Sequence, residues 1–173
     1  NLIDLMLMQG DDSRFTKVLV NEKAYGGNVS GGINWPLGND YDYNGPMLWS
    51  GMIIHSPDVS DDTILADIDA IVKDLRTNLI TPAELERAKT KARSKLYDII
   101  GDGNRVGLVN LLAAFALFDD DPGRINHLEQ EIDKVTPELI RKTAQEYLRP
   151  TNRSIIDLKP GVKSARATAD AGK

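Results

Sequence analysis

The sequence predicts an α+β fold, a two-layer arrangement in which an antiparallel sheet is covered on one face by helices. Three observations predict it. Residues 25–35 and 47–55 are short β-branched stretches, rich in glycine and joined by a polar turn, which is the pattern of a hairpin. Long segments on either side carry apolar residues at helical spacing. Residues 153–158 then return to β-branched character, so the order helix, strand, strand, helices, strand reads as a split β-α-β motif lacking its first strand.

Residues 2–8 read as the end of a buried helix and 10–13 as its break, with Ser13 capping a second helix that runs to about Lys23 and turns Phe15, Val18 and Leu19 inward. In YGGNVSGGINW, Val29 and Ile33 stand among two glycine pairs, which predicts a strand with a bulge or a close backbone neighbour. Residues 36–45 form a polar turn rich in Gly and Asp, and 47–55 alternate as the second strand, antiparallel to the first. Ser60 or Asp61 opens a helix with Ile64, Ile68, Ile71, Val72 and Leu75 on its inner face. Thr81-Pro82-Ala83-Glu84 opens the next with a capping box, and Leu85, Ala88, Ala92, Leu96 and Ile99 continue its stripe until Gly101 and Gly103 interrupt it. Residues 106–118 are a largely apolar helix ended by Asp119, Asp120, Asp121 and Pro122, and 123–134 a shorter one. In the last helix Thr136 is the cap and Pro137 sits where its missing N–H costs nothing. Leu139, Ile140, Ala144, Tyr147 and Leu148 form its inner stripe, and Pro150 stops it. Residues 153–158 read as a buried strand. One domain, 1–160, accounts for the pattern, and 161–173 is small and polar enough to be a disordered tail.

Composition narrows the function classes. With 41% hydrophobic and 27% charged residues in 173, the chain can bury a real core. Its net charge of -5 argues against a sequence-independent nucleic-acid binder, which needs a basic face to displace counterions from phosphates. The absence of cysteine removes disulfides, thiolate zinc sites and cysteine nucleophiles. The longest apolar run, 111–118, is too short to span a bilayer, and no signal sequence opens the chain, although composition leaves the compartment undetermined. Asn1 is followed directly by what looks like the interior of a helix, so the chain reads as a piece of a larger protein.

Three motifs in order carry a family resemblance. They are Ser13-Arg14-Phe15 with Leu19, Glu22 and Val29-Ser30; then Thr81-Pro82-Ala83-Glu84-Leu85-Glu86-Arg87-Ala88-Lys89; then Val135-Thr136-Pro137-Glu138 with Tyr147-Leu148, Pro150 and Asn152-Arg153. Together they resemble the non-catalytic C-terminal half-domain of the pitrilysin or insulinase family of zinc metallopeptidases, which includes the mitochondrial processing peptidases. The resemblance implies one wall of a closed proteolytic chamber, assisting peptide binding. A zinc-bearing catalytic half, on the same polypeptide or a separate subunit, would supply the metal and the general base. The inverted zinc motif H-x-x-E-H is not present, since the only histidines are His55 and His127, so the resemblance assigns this chain no catalytic residue and no metal ligand. In this family the non-catalytic half often contributes an arginine and a tyrosine that hold the substrate carbonyl. Without a gap the arginine position is Val20 and the tyrosine position Gly27, while a two-residue deletion brings Tyr25 into the tyrosine role. The candidate substrate contacts are therefore Tyr25, Gly26, Gly27 and Asn28, with backbone from Gly26 to Asn28 available to an extended peptide by strand addition. The alternative is a catalytically inactive scaffold or assembly module of the same fold.

Other signals have plainer readings. Asp40-Tyr41-Asp42-Tyr43-Asn44-Gly45 opens like a calcium loop, but position twelve is Gly51 where a bidentate glutamate is needed, and Pro46 follows the glycine, so a hairpin loop is the better reading. His127 and Glu131 lie one helical turn apart without visible further ligands, and His55 reads as structural. Trp35, Trp49, Tyr41 and Tyr43 flank the hairpin loop and read as cross-strand packing.

Overall fold

The computed structural model describes residues 1–36, 41, 43–101 and 106–159. In chain order these form α1 (Leu2–Leu7), a π-wound helix (Thr16–Glu22), β1 (Gly26–Ile33), β2 (Trp49–His55), α2 (Asp61–Thr77), α3 (Pro82–Ile100), α4 (Val106–Asp119), a 3-10 segment (Pro122–His127), α5 (Leu128–Asp133) and α6 (Pro137–Tyr147). The architecture is α+β, with β1 and β2 paired antiparallel and helices packed on one face of the hairpin.

Local chemistry starts the helices where the sequence predicts. Ser60, Thr81 and Thr136 each accept a hydrogen bond from the backbone N–H three residues on, at 3.3, 3.2 and 3.2 Å, satisfying a donor that the first turn leaves free. Ser13 Oγ likewise lies 3.4 Å from Thr16 N. The reciprocal half of the capping box at Thr81 is replaced by a tertiary contact. Glu84 turns its carboxylate to Arg14, whose Nε and Nη2 donate at 2.8 and 3.1 Å, while Arg14 Nη1 reaches Asp74 at 2.7 Å. This fork joins the second helix to the end of α2 and the start of α3.

One core gathers α1, the π-wound helix, the inner face of β1, α2, the first half of α3 and α6, with Leu7, Leu19, Leu75 and Ala144 almost wholly enclosed. A smaller cluster of Leu96, Leu111, Phe115 and Leu128 joins the end of α3 to α4 and α5. The inner stripes of α2 and α3 face the cores as predicted: Ile64, Ile71 and Leu75, and Leu85, Ala88, Ala92 and Leu96, are buried.

Three expectations are corrected. Residues 153–158 are not a strand and not buried: Ile155, Ile156 and Leu158 are exposed, Ile156 by 82%, and no neighbouring strand pairs with them among the described residues. A β-branched run makes a strand only when a ladder partner takes its N–H and C=O groups, so composition alone misleads here. Arg153 instead anchors the segment to Asp69 of α2, with Nη2 donating at 3.0 Å. On α6 only Ile140 and Ala144 are fully buried, whereas Leu139 and Tyr147 are exposed, because the helix meets α2 and α1 along a narrow i, i+4 line that the methyl of Ala144 lets close up. The hairpin-loop aromatics divide. Trp49 packs on Phe15 at 6.1 Å and Tyr41 edge-on against Phe115 at 5.9 Å, while Trp35 and Tyr43 are exposed. Asp40, Asp42 and the tail 161–173 lie outside the described residues.

Candidate functional site at the hairpin

Glycine shapes β1. The register pairs Gly26 with His55 and Asn28 with Ile54, leaving Gly27 as the extra residue of a β-bulge. Gly26 is pressed so close to β2 that an added Cβ would stand 2.1 Å from the Ile54 carbonyl oxygen, whereas around Gly27 nothing lies within 4 Å. The bulge therefore turns open backbone to solvent while its neighbour seals the strand pair.

Beyond the bulge the two faces of the hairpin diverge. Val29, paired with Ile53, is buried against the helices. Asn28 pairs with Ile54 and Ser30 with Met52 on the opposite face, where Ile54 is 74% and Met52 41% exposed. These four residues and Gly27 line an open depression of about 290 Å³. All five are uncharged.

The hairpin is backed by a buried acid that sequence reading does not single out. Asp4 of α1 is 3% exposed, and its two oxygens accept from Trp49 Nε1 at 2.7 Å and Gln9 Nε2 at 3.2 Å. Gln9 Nε2 also donates to the Gly31 carbonyl at 2.9 Å, so Asp4 of α1 holds β2 and Gln9, just beyond the end of α1, holds β1. Desolvation raises the Asp4 pKa above the ordinary carboxylate value, against the opposing pull of Trp49, Gln9, Lys95 and the N-terminus. The one acid within LIDLML was the available signal; its partner, 45 residues away, was not readable.

Of the four predicted contacts, Gly27 and Asn28 meet in the depression and Gly26 seats the strand beneath them. Tyr25 does not join them. Its hydroxyl donates to Asp67 Oδ2 of α2 at 2.7 Å, a bond to a carboxylate that pushes the phenol above its ordinary pKa, and its carbonyl accepts from Ser56 N at 2.9 Å. Val20, at the arginine position of the resemblance, is half-buried against the core. The depression also includes Ser30, Met52 and Ile54, which alternation along the strands places on the outer face; Ser30 belongs to the first motif, whereas no motif marks Met52 or Ile54.

The histidines do not fit a zinc site. His55 has Nδ1 2.9 Å from the Ser56 carbonyl oxygen and Nε2 3.1 Å from Asp61, so both nitrogens face oxygen partners. His127 ends the 3-10 segment, and Glu131 lies 3.5 Å from Arg124 Nη2. Among the described residues no group of three or more His, Cys, Asp or Glu side chains could hold a metal ion, and no helix is long and apolar enough to cross a membrane.

Comparison with known proteins supplies the fold's relatives. No protein-family model matches the chain, and no curated protein matches it by sequence. Solved structures do. A protease from Helicobacter pylori superposes with a TM-score of 0.64 at 18% identity over 87% of this chain. A candidate zinc protease from Bordetella pertussis Tohama I gives 0.67 at 23% identity over 88%. The inactive peptidase domain of a candidate zinc protease from Bordetella parapertussis gives 0.68 at 23% identity over 88%. The chain spans 34% of the Helicobacter protein and 78% of each Bordetella chain. At these identities the likeness establishes the fold, so this chain has the fold of a zinc-protease-like domain, one that includes a catalytically inactive example.

Proposed function

We propose that this chain is the non-catalytic half of a zinc-dependent metalloendopeptidase of the pitrilysin family, forming one wall of the chamber and helping to hold the peptide. A zinc-bearing half supplies the metal and the general base. The observation that carries this reading is the outer face of the hairpin: an open glycine bulge beside uncharged Asn28, Met52 and Ile54, which are exposed, and half-buried Ser30, in a fold shared with an inactive peptidase domain. Such a face suits peptide backbone and side chains and holds no group that could activate water. Its contribution is to bind and orient, with bond cleavage left to the partner.

The test is reconstitution. Alone, the chain should bind no stoichiometric zinc by elemental analysis and cleave no unstructured peptide; produced with an H-x-x-E-H-bearing half encoded beside it, it should support cleavage. Stoichiometric zinc in the isolated chain, or full activity of the zinc half without it, refutes the proposal. A second reading, an inactive scaffold of the same fold, is favoured by one observation: Tyr25 is engaged by Asp67 and Val20 packs on the core, so neither residue offers a group to a substrate carbonyl. Absence of cleavage by the intact pair would select it.

A further inference from the structure

We propose that the recess where α1, the π-wound helix and α3 meet is a binding site for a phosphate group, held by Lys17 and Arg87 with help from Lys91. It shares no residue with the hairpin depression and does not depend on the chain being a peptide-binding wall. The recess is a partly enclosed cavity of about 40 Å³ with buried apolar side chains of α1 and α3 as its floor. One water needs about 10–15 Å³ of such space, so a few waters or one small oxyanion fit, and a larger molecule enters only by a single group.

Charge pairing within the recess is unequal. Glu84, Arg87 and Lys91 succeed one another on one face of α3, Lys17 lines the same space from the π-wound helix, and Asp12 and Arg14 complete the wall. Arg14 is fully engaged, by both oxygens of Glu84 and by Asp74. Asp12 accepts from Lys91, whose ammonium also donates to the Gln9 carbonyl at 2.9 Å. Two cations are left over. Arg87 Nε stands 4.0 Å from Asp12, beyond hydrogen-bond reach, and among the described residues Lys17 makes no hydrogen bond or ion pair through its ammonium. In a chain of net charge -5, unmatched positive charge concentrated over an apolar floor attracts anions. The donors set the class of anion. A guanidinium on α3 and ammonium groups from two helices approach from different sides, which a tetrahedral phosphate meets with separate oxygens and a planar carboxylate, with two, does not. The Asp12 carboxylate competes for the same cations and so holds the affinity down.

The experiment follows backbone amide and arginine Nε–H resonances of the labelled chain during titration with inorganic phosphate, methyl phosphate or acetate at constant pH and ionic strength. Inorganic phosphate should give saturable shifts at Lys17, Arg87 and Lys91, and acetate should bind about tenfold less tightly. Arg87→Gln and Lys17→Gln should each weaken phosphate binding about tenfold, as expected for loss of a charge-assisted hydrogen bond. Asp12→Asn should tighten it about threefold by removing the competing carboxylate, an effect that a purely structural ion-pair cluster would not show. The side chain of Arg87 is 56% exposed, so its variant should keep the parent melting temperature, which is measured alongside. Methyl phosphate distinguishes the source: binding equal to that of the free ion supports a phosphate group on a larger molecule, and weaker binding supports inorganic phosphate itself. Shifts that rise without saturation, phosphate affinity unchanged in both glutamine variants, or acetate binding as tightly as phosphate overturns the proposal.

Discussion

Gly31→Ala tests how the hairpin is seated on α1. Gly31 has φ +147°, a conformation that side chains disfavour, and an added Cβ would lie 2.1 Å from Ser50 O, 2.5 Å from Met8 Sδ and 2.9 Å from Gly51 Cα. Two of those three contacts are backbone of the paired strand, so the hairpin must open or α1 must retreat. Strain at the dihedral costs about 1–3 kcal/mol and overpacking another 1–3 kcal/mol, which together remove about 2–6 kcal/mol from a total stability of roughly 5–15 kcal/mol. At about 2–4 °C per kcal/mol for a domain of this size, that corresponds to a fall in Tm of about 4–24 °C. Gly27→Ala, four residues earlier in the same strand, meets nothing within 4 Å and should stay within about 1 kcal/mol of the parent protein. Urea unfolding read by tryptophan fluorescence measures both, since Trp49 packs on Phe15 and loses that environment on unfolding. Equal midpoints for the two alanine variants, at unchanged m, would refute the argument that backbone proximity at Gly31 fixes the sheet against α1.

Asp4→Asn should become less favoured relative to the parent protein as pH falls. The folded-state pKa of Asp4 is raised, so between that value and the unfolded one the native state binds more protons, and this group's contribution to stability falls as pH rises through the window. The difference in urea midpoint between parent and variant, followed from pH 7 to pH 4, isolates that contribution from Asp12, whose pKa is lowered chiefly by its hydrogen bond from Lys91 and which loses stability as pH falls. A difference independent of pH would show that the acid is not desolvated in the native state. Thr136→Ala should cost about 1 kcal/mol through the lost N-cap, while Thr136→Ser should recover most of it by the same unfolding measurement. Arg14→Met should lower Tm by more than Arg153→Met. Arg14 is held by two carboxylates in a largely enclosed position, whereas Arg153 pins a segment whose apolar residues face solvent.

What the sequence reveals about the fold follows from how far each signal reaches along the chain. A cap and its N–H stand three residues apart, so Ser60, Thr81 and Thr136 could be placed from their neighbours alone. The double-glycine strand was readable as bulged or closely approached by backbone, and the structure has both: a Cβ at Gly26 or Gly31 would stand 2.1 Å from a carbonyl oxygen of the paired strand, while Gly27 is the open residue of the bulge. Glu84 marks the limit. The motif Thr-Pro-Ala-Glu predicts a reciprocal box, but a guanidinium 70 residues earlier in the chain competes for the same carboxylate and forms two charge-assisted bonds with it. Residues 153–158 fail for the same reason in reverse: their propensity is real, but a strand is a relation between two segments, and β propensity says nothing about whether the second is there.

The candidate site was harder to read because its character comes from what is missing. Motif reasoning looks for groups that do chemistry, and it led to Tyr25, the only predicted contact with an ionisable side chain, whose hydroxyl is turned to Asp67. The residues that do meet were chosen as backbone only, Gly27 and Asn28, and their neighbours Met52 and Ile54 look in the sequence like ordinary members of a half-buried strand. Period-2 alternation places Ile53 on one face and Met52 and Ile54 on the other, yet it cannot say which face the helices cover. Val29 decides that, because its partner in the register is Ile53 and it is buried. Once Val29 and Ile53 face the core, two large apolar side chains must stand in solvent beside a bulged glycine.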